Sequence, residues 1–139
     1  MLLIDANILL EIILQQEKHE ECEQFLYLVK EGQVKAIMSD FTVNSIILIM
    51  ERSGSSPKDV RTFLLSLTKY IGLNIYPSMM PDKIYATKLM ERYGLDYDDS
   101  LTLQIGIVND CKEIVSFDKD FNKVKIIKRI TPEEVLHNF

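Results

Sequence analysis

The chain has 139 residues, of which 47% are hydrophobic and 27% charged. This length and composition predict one folded domain that buries a core without metal or disulfide staples, and they exclude a disordered or low-complexity chain. The net charge of −5 disfavours a protein that holds nucleic acid through a basic surface. It favours a soluble enzyme, or a site where carboxylates gather around a cation.

Cysteine usage and hydropathy indicate a cytoplasmic protein. Cys22 and Cys111 are far apart and have no metal-ligand spacing around them, so two reduced thiols are expected. The longest apolar run, Ile46–Met50, is too short to cross a bilayer. The N-terminus lacks the basic leader of a signal peptide, so we expect no membrane association.

The first elements of the chain alternate between strand and helix. Leu2–Ile4 is a short apolar run that predicts a buried strand, and Asn7 is the expected cap of the helix that follows. After a second amphipathic helix, Val34–Met38 predicts another strand. Ser39 or Asp40 is the expected cap of the next helix.

The same alternation continues through the middle of the chain. A break at residues 53–56 precedes Pro57, which suits the first turn of a helix. Leu73–Tyr76 predicts a third strand. Pro81 begins a helix that Gly94 ends.

The last third of the chain predicts two more strands, Ile114–Phe117 and Val124–Ile127, and a final helix from Thr131. Strands that alternate with helices form parallel βαβ units. The predicted fold is therefore a three-layer α/β/α sandwich with a five-stranded parallel sheet, formed by a single domain over residues 1–139.

Acidic residues follow the predicted strands. Asp5 comes directly after the first strand, and Asp118 follows the strand Ile114–Phe117, with Asp120 two residues later. Asp98 and Asp99 begin the helix that leads into that strand. In a parallel sheet these side chains lie at one edge, where ligands bind at the point of strand-order reversal.

Converging carboxylates suit a hard divalent cation such as Mg²⁺ or Mn²⁺. Such an ion activates water for attack on a phosphodiester. Each acid alone has a simpler explanation as a turn or helix-cap residue, so it is their coincidence at strand ends that favours a site.

Three segments resemble the motifs of the PilT N-terminus (PIN) domain family. They are Leu3–Leu9 (LIDANIL), Leu95–Leu101 (LDYDDSL) and Ile114–Phe121 (IVSFDKDF). Each motif alone is weak, but the set occurs in the family's order and spans nearly the whole chain.

The resemblance implies a Mg²⁺- or Mn²⁺-dependent ribonuclease in which Asp5, Asp99 and Asp118 are catalytic and bind the metal. It gives auxiliary roles to Asp120, Ser116 and Asn7, and Asp98 is a further auxiliary candidate from its position at the start of the helix. Ser116 would orient phosphate or a carboxylate, and Asn7 would brace Asp5 or cap its helix.

One motif departs from the family. Its second acid is expected at the end of a pattern that matches Ser39–Ser45 (SDFTVNS), so Ser45 stands where glutamate is usual. Glu11 lies one helical turn beyond Asn7 and is a possible substitute, whereas Glu51 lies off the face of Ser45. A surface position for Glu11 is the simpler expectation.

Small members of the family act as toxins that a neighbouring antitoxin protein inhibits. The leading hypothesis is therefore an endoribonuclease toxin that forms a homodimer, with RNA as substrate and an antitoxin as partner. The alternative is a weakened or inactive module that binds RNA or a protein. The basic residues in Lys119–Arg129 predict either a basic flank to the site or an ordinary solvated surface.

Overall fold

The computed structural model describes all 139 residues, in five strands, seven α-helices and one 3₁₀ turn. The strands are β1 (Leu2–Ile4), β2 (Ala36–Ser39), β3 (Leu73–Tyr76), β4 (Glu113–Val115) and β5 (Lys128–Ile130). The helices are α1 (Ala6–Ile13), α2 (His19–Lys30), α3 (Asp40–Arg52), α4 (Pro57–Leu67), α5 (Met80–Tyr93), α6 (Tyr97–Val108) and α7 (Pro132–Leu136), and the 3₁₀ turn is Lys119–Lys123. None of these helices has both the length and the apolar character needed to cross a membrane.

The five strands form one parallel sheet in the order β3-β2-β1-β4-β5. From β1 the chain proceeds to β2 and β3 on one side and then returns to place β4 and β5 on the other. Strand order therefore reverses between β1 and β4, where Ile4 pairs with Val115. A crevice for ligands is expected beyond this pair.

Alternate strand residues supply two separate cores, because neighbouring side chains of a strand point to opposite faces. Ile4 and Val115 pack with α1, α2, α3, α4 and α7. Leu3 and Ile114 pack with α5, α6 and the 3₁₀ turn. This three-layer arrangement confirms the predicted fold class.

The fifth strand differs from the sequence prediction. Val124–Ile127 was expected to form it, but the strand is Lys128–Ile130. Val124 and Ile127 are buried in a loop that packs against the α6 side of the sheet, so their apolar character reflects core contact without strand pairing. β5 is an edge strand, and its first residue is exposed; the strand therefore lacks the apolar run that marks a central strand.

Two boundaries near the predicted site also differ. β4 ends at Val115 instead of Phe117. The cap of α1 is Asp5, which accepts a hydrogen bond from the Ala6 amide, so the prediction of Asn7 as the cap is wrong. As a result, Ser116 directly follows β4, and Asp5 lies between the end of β1 and the start of α1.

Candidate active site

A cavity of about 250 Å³ opens beyond the carboxyl ends of β1 and β4, where strand order reverses. We call it the acidic pocket. Its lining contains no lysine, arginine or histidine. The carboxylates that line it are Asp5, Asp96, Asp98, Asp99 and Asp118.

Asp5 is held rigidly at the floor of this pocket. Its Oδ1 accepts a hydrogen bond of 2.8 Å from the Ala6 amide, and its Oδ2 accepts one of 2.6 Å from the Ser116 hydroxyl. The residue is only 9% exposed. Burial raises the pKa of Asp5 above its usual value, although both hydrogen bonds oppose this rise.

The Ser116 hydroxyl links the ends of β1 and β4. In addition to donating to Asp5, it accepts hydrogen bonds from Asn7 Nδ2 at 3.3 Å and from the Asp118 amide at 3.0 Å. The Asn7 Oδ1 atom is buried without a hydrogen-bond partner, and Asn7 lines the acidic pocket. An unpaired buried oxygen beside carboxylates is an acceptor available to a cation or to water.

Three carboxylates form a cluster in which Asp99 and Asp118 line the pocket and Asp120, which is exposed, does not. One oxygen from each of Asp99, Asp118 and Asp120 lies within 4.8 Å of the other two. The Asp99 backbone is held by a 2.8 Å hydrogen bond from its amide to Asp96 Oδ1. The Asp120 amide donates to Asp118 Oδ1 at 2.9 Å, so local hydrogen bonds fix both segments.

The charges in the pocket are not compensated by basic side chains. Burial, followed by repulsion from Asp96, Asp5 and Asp118, raises the pKa of Asp99 to about 8. Carboxylates in this position bind a proton or a cation instead of remaining fully charged together. Oxygen ligands in this number fit Mg²⁺ or Mn²⁺, so the donor set suits the expected metal.

The structure also shows which predicted residues lie elsewhere. Glu11 is outside the acidic pocket, and its carboxylate accepts a hydrogen bond of 2.9 Å from the Lys18 amide at the turn between α1 and α2. Glu51 is exposed in the last turn of α3 and does not line the pocket. Ser45 does line it, on the same face of α3 as Thr42 and Ile49, whereas neither glutamate lines the pocket.

Asp96 is a pocket residue that the sequence reasoning did not single out. It caps α6 and holds the Asp99 amide, and its carboxylate side chain also lines the acidic pocket. The sequence does contain a signal for Asp96. It lies three residues before Asp99, which is the spacing at which an N-cap side chain accepts a hydrogen bond from a backbone amide in the first turn of a helix.

Some basic residues of the segment Lys119–Arg129 already have polar partners. Arg129 donates to the Ser116 carbonyl at 3.1 Å and to Asn122 Oδ1 at 2.9 Å, so it stabilises the site's framework. The Lys123 Nζ atom lies 3.9 Å from Oδ1 of Asp120, which is the distance of a weak ion pair. None of the basic residues of this segment lines the acidic pocket.

Comparison with known families agrees with this arrangement. The sequence model of the PIN domain family matches residues 2–127. The chain belongs to the PIN domain family. This confirms the resemblance that the three motifs indicated. No curated protein matches the sequence.

Solved structures of similar fold include a toxin–antitoxin complex and a toxin. A toxin–antitoxin complex from Klebsiella pneumoniae is 17% identical with a TM-score of 0.69, covering 94% of this chain and 96% of that one. VapC20 of Mycobacterium tuberculosis, described as a toxin that cleaves the sarcin-ricin loop, is 12% identical with a TM-score of 0.71, covering 88% and 93%. VapBC2 of Rickettsia felis, bound to a promoter DNA fragment, is 16% identical with a TM-score of 0.70, covering 94% and 97%. At these identities the likeness establishes a shared fold.

Proposed function

We propose that this PIN domain is a Mg²⁺- or Mn²⁺-dependent endoribonuclease that hydrolyses phosphodiester bonds in RNA. The observation that carries the proposal is the convergence of Asp99, Asp118 and Asp120 within 4.8 Å. They meet beside Asp5 at the point of strand-order reversal, where α/β proteins bind their ligands.

In this proposal Asp5, Asp99 and Asp118 hold the ion, and Asp120, which clusters with Asp99 and Asp118 but does not line the pocket, is an auxiliary acid. A bound divalent ion supplies an activated water and neutralises charge that develops on the phosphate. The chain's own part is positional. Ser116 holds the Asp5 carboxylate, and Asp96 holds the backbone of Asp99, so the carboxylates are oriented before substrate arrives.

We further propose that the protein is the toxin of a toxin–antitoxin pair, acts in the cytoplasm and forms a homodimer. The fold neighbours that are toxins support the first part. An apolar groove of about 100 Å³ between α1, α2 and α4 offers a surface for an antitoxin segment. Exposed apolar side chains on β3 and on α5, including Ile75 and Ile84, are available for contact with a second copy.

The experiment is cleavage of a mixed set of structured and single-stranded RNAs in the presence of Mn²⁺. Wild-type protein is compared with Asp5→Asn and Asp99→Asn, and with Glu91→Gln as an exposed control outside the pocket. The proposal requires that the wild type and the control cleave, that EDTA abolishes cleavage, and that both aspartate variants lose it. Absence of cleavage by folded, metal-saturated wild type would overturn it.

The second candidate is an inactive module that binds RNA or a protein partner. The observation that favours it is Ser45, which faces the pocket with a hydroxyl where the family has a carboxylate. Metal binding without cleavage in the same assay would select this candidate.

A further inference from the structure

A second cavity, which we call the flanking cavity, adjoins the acidic pocket. Its volume is about 480 Å³, within the range of about 300–1,000 Å³ that is usual for small-molecule sites. Phe41, Ser45 and Asp98 line both cavities, so the two are continuous across this boundary. A chain-like ligand in the acidic pocket can therefore extend into the flanking cavity.

The flanking cavity contains a cation that the acidic pocket lacks. Lys83, near the start of α5, is the only basic residue that lines either cavity. It is exposed, and no carboxylate lies within the 4.0 Å of an ion pair. Asp40 lines the same cavity and attracts Lys83 electrostatically, but the two side chains form no ion pair, and Asp40 Oδ1 accepts hydrogen bonds from the Ser78 hydroxyl and amide. Because no ion pair holds the Lys83 ammonium group, it can bind an anion that enters the cavity.

Two aromatic rings line the same cavity. Phe41 and Tyr97 contact each other edge to face, with ring centroids 6.5 Å apart and planes at 70°. Tyr97 is 36% exposed, and Phe41 lies on the boundary with the acidic pocket. An exposed aromatic ring and a cation that line one cavity are features by which proteins hold unpaired nucleotides.

We propose that the flanking cavity binds the nucleotide next to the scissile phosphate, with the base stacked on Tyr97 and the phosphate on Lys83. This inference rests on the proposed ribonuclease function and names the form of its substrate. A base stacks on a protein ring only when it leaves its own helix, so the substrate at this position is single-stranded RNA. Phe41 braces Tyr97 and is a positioning residue.

The first test uses the absence of tryptophan from the chain. Tyr97→Trp introduces a single fluorescent reporter in the flanking cavity, and Tyr27→Trp places the same reporter on the exposed face of α2, away from both cavities. Each variant is titrated with a single-stranded oligoribonucleotide and with the same sequence in a hairpin stem. We expect saturable quenching only for Tyr97→Trp and only with the single strand.

A labelled oligonucleotide gives the anisotropy of the same samples and reports binding independently. RNA that binds without quenching Tyr97→Trp overturns the proposal, as does quenching that is equal in both variants. Failure of either variant to bind RNA also overturns it. If the antitoxin protein quenches the reporter and RNA does not, the cavity is a protein-binding site and the proposal is wrong.

The second test measures the contribution of Lys83 to RNA binding. Lys83→Ala is compared with Lys58→Ala, since both lysines are exposed near the start of a helix but Lys58 lines neither cavity. We expect Lys83→Ala to raise KM about tenfold and to reduce the salt dependence of RNA binding by about 0.7, the slope of one phosphate contact in a single strand. Its kcat should stay within about twofold, because a uniform binding contact affects KM alone. Equal KM values for the two variants would overturn the proposal.

The third test removes the aromatic ring of Tyr97. Tyr97→Ala and Tyr97→Leu should both raise KM by about tenfold, the leucine variant retaining an apolar contact for Phe41, and circular dichroism verifies their fold. The two claims fail in different ways. Quenching of Tyr97→Trp with no cleavage by wild type rejects the ribonuclease and retains the cavity. Cleavage with no quenching and a normal KM for Lys83→Ala rejects the cavity and retains the ribonuclease.

Discussion

The hydroxyl of Ser116 donates a hydrogen bond of 2.6 Å to Oδ2 of Asp5, across 111 residues of sequence. This contact joins the ends of β1 and β4 and orients a carboxylate that is 9% exposed. Since the bond involves a buried acceptor with few alternatives, its loss leaves Asp5 without one of its two partners.

We therefore predict that Ser116→Ala lowers the free energy of unfolding by about 1–3 kcal/mol, the cost of leaving a buried acceptor unsatisfied. Chemical denaturation measures the change. Ser100→Ala is the matched control, because Ser100 is equally buried but its hydroxyl has no hydrogen-bond partner. A loss of stability as large in Ser100→Ala as in Ser116→Ala would contradict this account of the contact.

A substitution in the acidic pocket should separate stability from function. Asp99→Asn removes one of several carboxylates that repel each other, so we expect a higher Tm for the metal-free protein. The same change removes a ligand, so the rise in Tm that Mn²⁺ causes in wild type should be reduced. Differential scanning fluorimetry with and without Mn²⁺ measures both effects.

Glu91→Gln, an exposed residue on α5, is the control for this pair of measurements. It should leave both the metal-free Tm and the Mn²⁺ response unchanged. An Asp99→Asn protein that responds fully to Mn²⁺ would place the metal elsewhere.

Ser45→Glu supplies the carboxylate that the family motif predicts at this position. Because Ser45 lines the acidic pocket, we expect the variant to bind Mn²⁺ more tightly than wild type, as measured by calorimetric titration. Asn44→Glu adds the same charge one residue away, at a position that does not line this pocket. Equal affinity gains in the two variants would attribute the effect to net charge and not to ligation.

We expect Asp40 to make a contribution to stability that depends on pH. Burial raises its pKa, but hydrogen bonds from Ser78 and Phe41 and the charge of Lys83 outweigh this, so the pKa is lowered below 3.8. A carboxyl group whose pKa is lower in the folded than in the unfolded protein stabilises the fold at any pH above its unfolded pKa. This contribution disappears as the pH falls through the pKa of the folded protein.

Asp40→Asn should therefore be less stable than wild type at about pH 6, and the difference should shrink as the pH falls below the ordinary carboxyl pKa. Urea denaturation at a series of pH values measures it. A difference that grows on acidification would contradict the assigned hydrogen bonds.

The fold was predictable wherever a local pattern and a tertiary role coincided. Leu2–Ile4 is apolar because both faces of β1 are buried, and its strand was predicted with its observed bounds. Val124–Ile127 is apolar because it packs in a loop, and the strand predicted there was wrong. Periodicity reports burial, and burial alone does not distinguish a loop from a strand.

The candidate site shows the same division. Asp5 and Asp118 were named from their positions at strand ends, Asp99 was chosen over Asp98 by the family resemblance, and the structure brings all of them to one pocket. Helical spacing suggested Glu11, but its carboxylate turns to the Lys18 amide. A residue's spacing along a helix fixes its face and does not decide which neighbour its side chain contacts.

The central claim is that a divalent ion in the acidic pocket supports RNA hydrolysis, and one titration tests it most directly. Mn²⁺ occupancy, followed by electron paramagnetic resonance, and the cleavage rate of a single-stranded RNA are measured in the same samples for wild type and Asp118→Asn. We predict that cleavage rises with occupancy at the same midpoint and that Asp118→Asn loses both. Full occupancy without cleavage, or cleavage that persists in Asp118→Asn, would contradict the claim.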